Sequence, residues 1–393
     1  MRVLAINSMF ANRLYRRCAD ELGALPGVEL TILTVDKWIM NGREMPMESV
    51  SPDAPYRTVI GRSGWRGKEN RGFYTSGIME AFRVAKPEII FLMEEPFSVF
   101  SLQILQANKL TGTNAPVVFF TWNNLSLDIY DYRPSIFYRN VAKYTLPRMQ
   151  AALTANTAGI DVLRSFGFNA PIALAGYGVD TDKYRSVEEE VLGSLRVRLR
   201  IEQDDFVVGY IGRMLHMKGL DLLIDAFAQQ QKLSARRLKL LLVGSGPEQN
   251  AILKLAQDRG ISDSLIHVPS VPHGDVPAYL HLMDTLVLPS RRVGMWAEQF
   301  GRVLVEAMAA GKVVIGSSSG AIPEVIGNAG FVFQENDPHS LSAELSKVIG
   351  LDDASRSSLV TLGRDRAANS YSWRRFAETA HGSLLKTLEG SHK

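Results

Sequence analysis

One cysteine in 393 residues excludes an internal disulfide framework, and the place of Cys18 within a helical pattern reads it as a core residue. No apolar run reaches the ~20 residues needed to span a bilayer. The opening Met1-Arg-Val-Leu-Ala-Ile-Asn7 enters a strand pattern directly, without signal-peptide architecture. These absences predict a reducing, cytoplasmic setting. Charge of one sign is also scarce, since 44 Lys and Arg against 41 Asp and Glu leave a net +3. That surplus is too small for nucleic acid to be the main partner. Histidine is missing from residues 1–177, and His216, His267, His273 and His281 do not fall at metal-ligand spacing. No metal or other cofactor is expected. Hydrophobic residues at 46% and charged residues at 22% exclude wholesale disorder.

What is present is alternation. The length exceeds that at which one core keeps growing, so two domains are expected. Short β-branched runs recur at Arg2–Ile6, Val28–Val35, Glu88–Met93, Val117–Trp122, Ala151–Thr157 and Ile172–Gly176. They continue at Phe206–Ile211, Lys239–Val243, Ile266–Pro269, Thr285–Leu288, Val313–Gly316 and Gly330–Phe333. Helical patterns such as Arg13–Leu25, Ser76–Ala85, Ser98–Leu110 and Gly159–Phe166 lie between them. This predicts an α/β fold of βαβ units with parallel sheets, two doubly wound domains, and ligands outside the carboxyl ends of the strands. The predicted domains are residues 1–177 and 205–372, with 178–204 as a linker. Arg43–Gly72, rich in Gly, Pro and Arg, reads as a long surface excursion of the first domain.

The most informative passage runs from Trp296 to Gly311, where seven residues separate Glu298 from Glu306. A carboxylate lies in a Gly-containing loop, a helix starts, and a second carboxylate follows one to two turns in. A helix N-terminus presents unpaired N–H groups and a partial positive charge, which suit a phosphate. Carboxylates repel phosphate but accept hydrogen bonds from vicinal sugar hydroxyls. A ligand with hydroxyls at both ends and a diphosphate between them is a nucleotide sugar.

Other residues fit around that passage. Arg213 and Lys218 follow the Phe206–Ile211 strand and precede a helix at Leu220–Gln230, where cations can neutralise charge on a diphosphate leaving group. Gly244-Ser-Gly-Pro247 follows another strand, but Gln249 occupies the third position of a G-x-G-x-x-G motif. It reads as a place where backbone approaches a ligand. Glu94 and Glu95 end a strand ahead of Pro96. They are read either as helix capping or as acceptor-hydroxyl binders with base character. Asn123 and Asn124 follow the Val117–Trp122 strand, as a turn or as amides that hold sugar hydroxyls. Asp180-Thr-Asp182 reads as turn chemistry. Arg13, Arg16 and Arg17, with Arg62, Arg66, Lys68 and Arg71 beside Trp65, form either a solvated face or one that meets an anionic headgroup or a phosphate-bearing acceptor. Peripheral contact with the inner membrane face stays open on that count.

Gly212-Arg213, Lys218-Gly219, Gly244-Ser-Gly-Pro247, Pro289-Ser290, Glu298-Gln-Phe-Gly301 through Glu306-Ala-Met-Ala, and Gly320-Ala-Ile-Pro-Glu324 together resemble the retaining glycosyltransferases of family 4, over roughly residues 205–350. The resemblance implies a GT-B fold, two Rossmann-like domains facing a cleft, and a last helix returning to the first domain. Tyr371-Ser-Trp373 onward looks like that helix, over residues 373–393. It further implies that Arg213 and Lys218 bind the donor diphosphate, Glu306 the ribose hydroxyls and Glu298 the donor sugar. Backbone at Phe300, Gly301, Arg302 and Val303 would meet sugar and phosphate oxygens, with Gly212 and Gly244 in the same donor site. Ser270 and Val271 would touch the base. Many members place a first-domain histidine near the sugar; here Asn123 or Asn124 stands in that neighbourhood.

The expected activity is retaining, metal-independent transfer of a hexose from a UDP- or GDP-type donor to a saccharide, lipid-linked or small-molecule acceptor, in polysaccharide, glycolipid or glycoconjugate synthesis. Two alternatives are a nucleotide-sugar epimerase on the same fold and a non-catalytic nucleotide-binding partner protein. The epimerase would need acid and base groups flanking the sugar, which a histidine-free first domain disfavours. The intact cation and glutamate pairs disfavour the second.

Overall fold

The computed structural model of the chain describes residues 1–40, 43–65, 71–124 and 135–391. It divides into two compact units, Met1–Gly178 with Trp373–Lys393, and Val179–Ser372.

The first unit is built on a seven-stranded parallel sheet. Its strands are β1 (Arg2–Ile6), β2 (Glu29–Val35), β3 (Tyr56–Gly61), β4 (Ile89–Leu92), β5 (Val117–Thr121), β6 (Ala151–Thr154) and β7 (Ile172–Leu174). They lie in the order β7-β6-β5-β4-β1-β2-β3. The central strands are apolar at nearly every position because helices cover both faces. β3 is an edge strand inside the stretch expected to be a loop excursion. It pairs with β2 from Leu30↔Tyr56 to Val35↔Gly61. Only two of its six residues are buried, so its sequence, Tyr-Arg-Thr-Val-Ile-Gly, carries too little apolar signal to announce a strand. Lys37–Met40 and Arg43–Pro46 form a separate antiparallel pair.

The helix Trp373–Ser391 belongs to this unit although it follows the second one in sequence. Trp373, Phe376, Ala377, Ala380 and Leu384 recur at helical spacing and are buried against one face of the sheet. Phe376 meets Phe120 edge-on at 5.0 Å, and Trp373 meets Tyr177 at 5.3 Å. Burial of each large apolar side chain contributes about 1.5–3 kcal/mol, enough for a few of them to dock the helix.

The second unit holds six parallel strands: β8 (Phe206–Ile211), β9 (Leu238–Val243), β10 (Leu265–Val268), β11 (Thr285–Leu288), β12 (Val313–Ser317) and β13 (Gly330–Phe333). Their order is β10-β9-β8-β11-β12-β13. The order reverses between β8 and β11, so the loops leaving these two strands diverge to opposite faces and open a crevice at their carboxyl ends. Residues 179–204, expected to be a linker, pack on this unit. The Val179 N–H donates to the Tyr371 carbonyl at 2.7 Å, Tyr184 is buried, and Glu189–Leu199 is a helix. Among the described residues no helix is long and apolar enough to cross a membrane.

Candidate functional site

The crevice of the second unit is shaped by backbone that only glycine allows. The turn His216–Lys218 ends on Gly219 with φ of 65°, and a β-carbon there would stand 2.0 Å from the Pro289 carbonyl oxygen. This close approach lets the Arg291 N–H donate to the Met217 carbonyl at 2.8 Å. The loop after β8 is thereby stitched to the loop after β11. At Gly244 a β-carbon would lie 1.9 Å from the Gly212 carbonyl oxygen. Gly212 and Gly244, both expected in the donor site, thus pack backbone against backbone.

The stitched loops bring Lys218 to Glu298. The Lys218 ammonium donates to Glu298 Oε2 at 2.5 Å, and the Ser290 hydroxyl donates to the same oxygen at 2.7 Å. The ammonium also lies 5.1 Å from the Trp296 ring centroid, a cation–π distance. Glu298 is buried, and its carbonyl accepts from the Ala321 N–H at 2.9 Å. The Gly320–Glu324 motif therefore braces the loop from below. Arg213 is tied to the same place through its backbone. Its carbonyl accepts from the Tyr210 hydroxyl at 2.8 Å, and that phenol is pushed well above its ordinary pKa by burial and then by the Glu298 charge. The Arg213 side chain itself is exposed and makes no ion pair among the described residues.

Three residues beyond Glu298 the chain turns into the helix Arg302–Ala309, whose N-cap is Gly301 with no side-chain capping bond. Its first amides keep the donor character that favours an anion. Phe300 is buried, its ring edge-on to Tyr371 at 5.3 Å. Val303 is half-buried in the first turn. Glu306 is buried and lies 3.0 Å from the Arg302 guanidinium, one turn back. Ser270 and Val271 leave the end of β10, where the Ser270 N–H donates to Ser245 Oγ at 3.3 Å.

Two residues of this site were not singled out from the sequence. Tyr184 lies buried, with its hydroxyl 3.3 Å from His273 Nε2. Burial, and then the Glu306 carboxylate, raises its pKa far above the ordinary phenol value. A lone aromatic among the polar residues after Asp180 was the available signal, because such a residue has reason to be there only if it is buried. His273 is held below its ordinary pKa by burial, against the opposing Glu306 charge.

Glu94, Glu95, Asn123 and Asn124 belong to the first unit. The Ser8 N–H donates to Glu94 at 2.5 Å, and Thr121 Oγ1 donates to Glu95 Oε2 at 2.6 Å. The Asn123 N–H donates to that threonine oxygen at 3.1 Å. Glu94, Glu95 and Asn123 are buried, while Asn124 is half-buried. The helix read over Ser98–Leu110 runs Val99–Leu110 and is capped by Ser98, so neither glutamate caps it. On the basic helix, Arg16 is turned inward and donates to the Phe10, Ala11, Glu48 and Ser49 carbonyls. Arg17 pairs with Asp20 and Glu21. Arg66 and Lys68 lie outside the described residues. Among the described residues no cluster of three or more His, Cys, Asp or Glu is arranged to hold a metal ion.

Residues 194–365 match the family model of glycosyl transferases group 1. The chain is 26% identical over 254 residues to a GDP-mannose-dependent alpha-(1-6)-phosphatidylinositol monomannoside mannosyltransferase of Mycolicibacterium smegmatis, covering 64% of this chain and 61% of that protein. It is 29% identical over 224 residues to D-inositol 3-phosphate glycosyltransferase 1 of Catenulispora acidiphila, covering 54% and 51%. The chain thus spans about half the length of the curated relatives it matches. Sucrose-phosphate synthase from Thermosynechococcus elongatus superposes with a TM-score of 0.71 at 20% identity, covering 99% of both chains. Anabaena HepE in complex with UDP superposes with a TM-score of 0.72 at 16% identity, covering 98% of this chain and 100% of that one. At such identities the likeness speaks for the fold alone, which is GT-B with two parallel-sheet α/β domains. The match to glycosyl transferases group 1 thus falls within the second unit.

Proposed function

We propose that the protein is a glycosyltransferase that moves a hexose from a nucleoside-diphosphate sugar to an acceptor hydroxyl with retention at the anomeric carbon. The observation that carries this reading is the Lys218–Glu298 contact beside the uncapped start of the Arg302 helix. An ammonium and the N–H groups of a helix start serve a diphosphate, and a carboxylate next to them serves a sugar hydroxyl. In the reaction the bond between the anomeric carbon and the diphosphate oxygen breaks. The acceptor oxygen bonds to that carbon on the same face, and its proton passes to the departing diphosphate.

Negative charge then grows on the leaving group. Arg213 and Lys218 stabilise it more in the transition state than in the bound donor, and they do so without a metal. Glu298 holds donor-sugar hydroxyls, Glu306 those of the ribose, and the Ser270–Val271 backbone meets the base. The relatives named for GDP-mannose and the neighbour solved with UDP make guanine and uracil donors the first to try. Their names also favour a lipid-linked or inositol-bearing acceptor over other saccharides. Glu94, Glu95, Asn123 and Asn124 are the acceptor-side candidates.

The test is incubation with labelled GDP- and UDP-hexoses and chromatography of the products, where a new glycoside is expected. A free sugar isomer would instead indicate an epimerase. Arg213→Ala and Lys218→Ala should each lower kcat by about 10²-fold. A double variant with full turnover would refute the leaving-group assignment.

A further inference from the structure

We infer that Trp296 is a positioning residue for Lys218, whose indole keeps the ammonium at the crevice when a diphosphate draws it off Glu298. The inference rests on the diphosphate role proposed for Lys218.

Seven residues, Arg291 to Ala297, separate Ser290 from Glu298. Gly294, with φ of 57°, folds them into a tight turn. The Val293 N–H donates to the Trp296 carbonyl at 3.1 Å, and the Trp296 N–H donates to the Val293 carbonyl at 3.0 Å. The near side of the turn is fixed to two other loops. The Arg291 N–H donates to the Met217 carbonyl, the Arg291 guanidinium pairs with Asp221, and the Arg292 N–H donates to the Glu335 carboxylate. On the far side Ala297 and Glu298 are buried. Trp296 is therefore held by backbone on both sides, half-buried, with its ring centroid 5.1 Å from the Lys218 ammonium.

The ammonium thus has two neighbours of different kinds. It donates to Glu298 at 2.5 Å through one of its three N–H bonds. The indole attracts its charge through the electron-rich ring face. Unlike a second carboxylate, the indole adds no negative charge for a diphosphate to overcome. A lysine on its flexible stem loses rotamer freedom when it settles on a phosphate. One already held over an indole has lost much of it beforehand, so more of the contact appears as affinity. A contact of this kind amounts to between about twofold and thirtyfold in an equilibrium constant.

The experiment replaces Trp296 alone with 5-fluoro-, 5,7-difluoro- and 5,6,7-trifluorotryptophan, which keep the indole's shape but drain its ring face of electron density. Each intact protein is titrated calorimetrically with GDP and UDP. Affinity should fall stepwise with fluorination, to about tenfold below wild type for the trifluoro ring. Trp296→Leu should lose about as much and Trp296→Phe about threefold, with melting curves checking that each variant is folded. In a Lys218→Met background neither Trp296→Leu nor the trifluoro ring should weaken binding further. Affinity that ignores fluorination, or that falls equally in the Lys218→Met background, overturns the role of Trp296. A loss confined to GDP- and UDP-hexoses, absent with the bare nucleotides, makes the ring a platform for the sugar and overturns it as well. A wild type that binds neither nucleotide, or a folded Lys218→Met protein that binds them as tightly as wild type, overturns the diphosphate role of Lys218 itself, and this inference with it.

Discussion

Replacing Glu298 with glutamine should make the protein bind a bare nucleoside diphosphate more tightly while nearly abolishing turnover. Both effects trace to one contact. The Lys218 ammonium is 2.5 Å from Glu298 Oε2, an oxygen that also accepts from Ser290 at 2.7 Å. A diphosphate that uses Lys218 must compete with this carboxylate for the ammonium protons, and it must bear the repulsion of a buried negative charge beside it. A charge-assisted hydrogen bond is worth about 1.5–3 kcal/mol net. Removing the competing charge should therefore tighten binding by between about tenfold and a hundredfold. The lower end is expected, since the glutamine oxygen can still accept from Lys218. Turnover moves the other way, because the carboxylate that grips the sugar hydroxyls is lost, and a fall in kcat of about 10²-fold is expected. Stability should fall by about 1–3 kcal/mol, as Lys218 keeps a 19% exposed side chain that water can partly solvate. The assay is calorimetry with GDP and UDP beside steady-state kinetics with the hexose donor. A folded Glu298→Gln protein that binds the nucleotide no tighter than wild type would show that Lys218 does not reach the diphosphate.

Gly244→Ala should destabilise the protein by about 1–3 kcal/mol and weaken nucleotide binding, because its methyl group would fall 1.9 Å from the Gly212 carbonyl. Denaturant titration showing wild-type stability would contradict the close packing of these two loops. Lys312, half-buried, has its pKa lowered from 10.5 to about 8, first by burial and then by Arg196, Arg364 and Arg356, against the pull of Asp284. Between pH 8 and 10.5 the unfolded chain holds a proton that the folded chain has released, so this residue's contribution to stability rises with pH. Below pH 8 it costs about 3 kcal/mol, offset in part by its bond to the His281 carbonyl. Lys312→Met should accordingly melt higher than wild type at pH 7, with a smaller gain at pH 9.5; an equal gain at both values would exclude this cause. Turnover should survive EDTA, since Arg213 and Lys218 supply the positive charge. Activity lost to the chelator and restored by Mg²⁺ would replace the cations with a metal.

Strand runs such as Phe206–Ile211 and Thr285–Leu288 were legible because both their faces are buried and nearly every position must be apolar. The edge strand Tyr56–Gly61 was not, because only Val59 and Gly61 of its six residues are buried and no period-two apolar pattern results. The site divides along similar lines. Local order along the chain determined the two carboxylates with seven residues between them, the glycine that opens a helix and the cations after a strand, since all of these are short-range geometry. Only the tertiary structure decided that Lys218 meets Glu298 across a separation of 80 residues, and that Tyr184 meets His273 across 89. It also turned Arg16 inward and packed Gly244 against the Gly212 backbone. The reason is physical. A residue's type and spacing limit which bonds it is able to make, whereas its partner is chosen by the order of strands in the sheet and by which side chains their loops bury together.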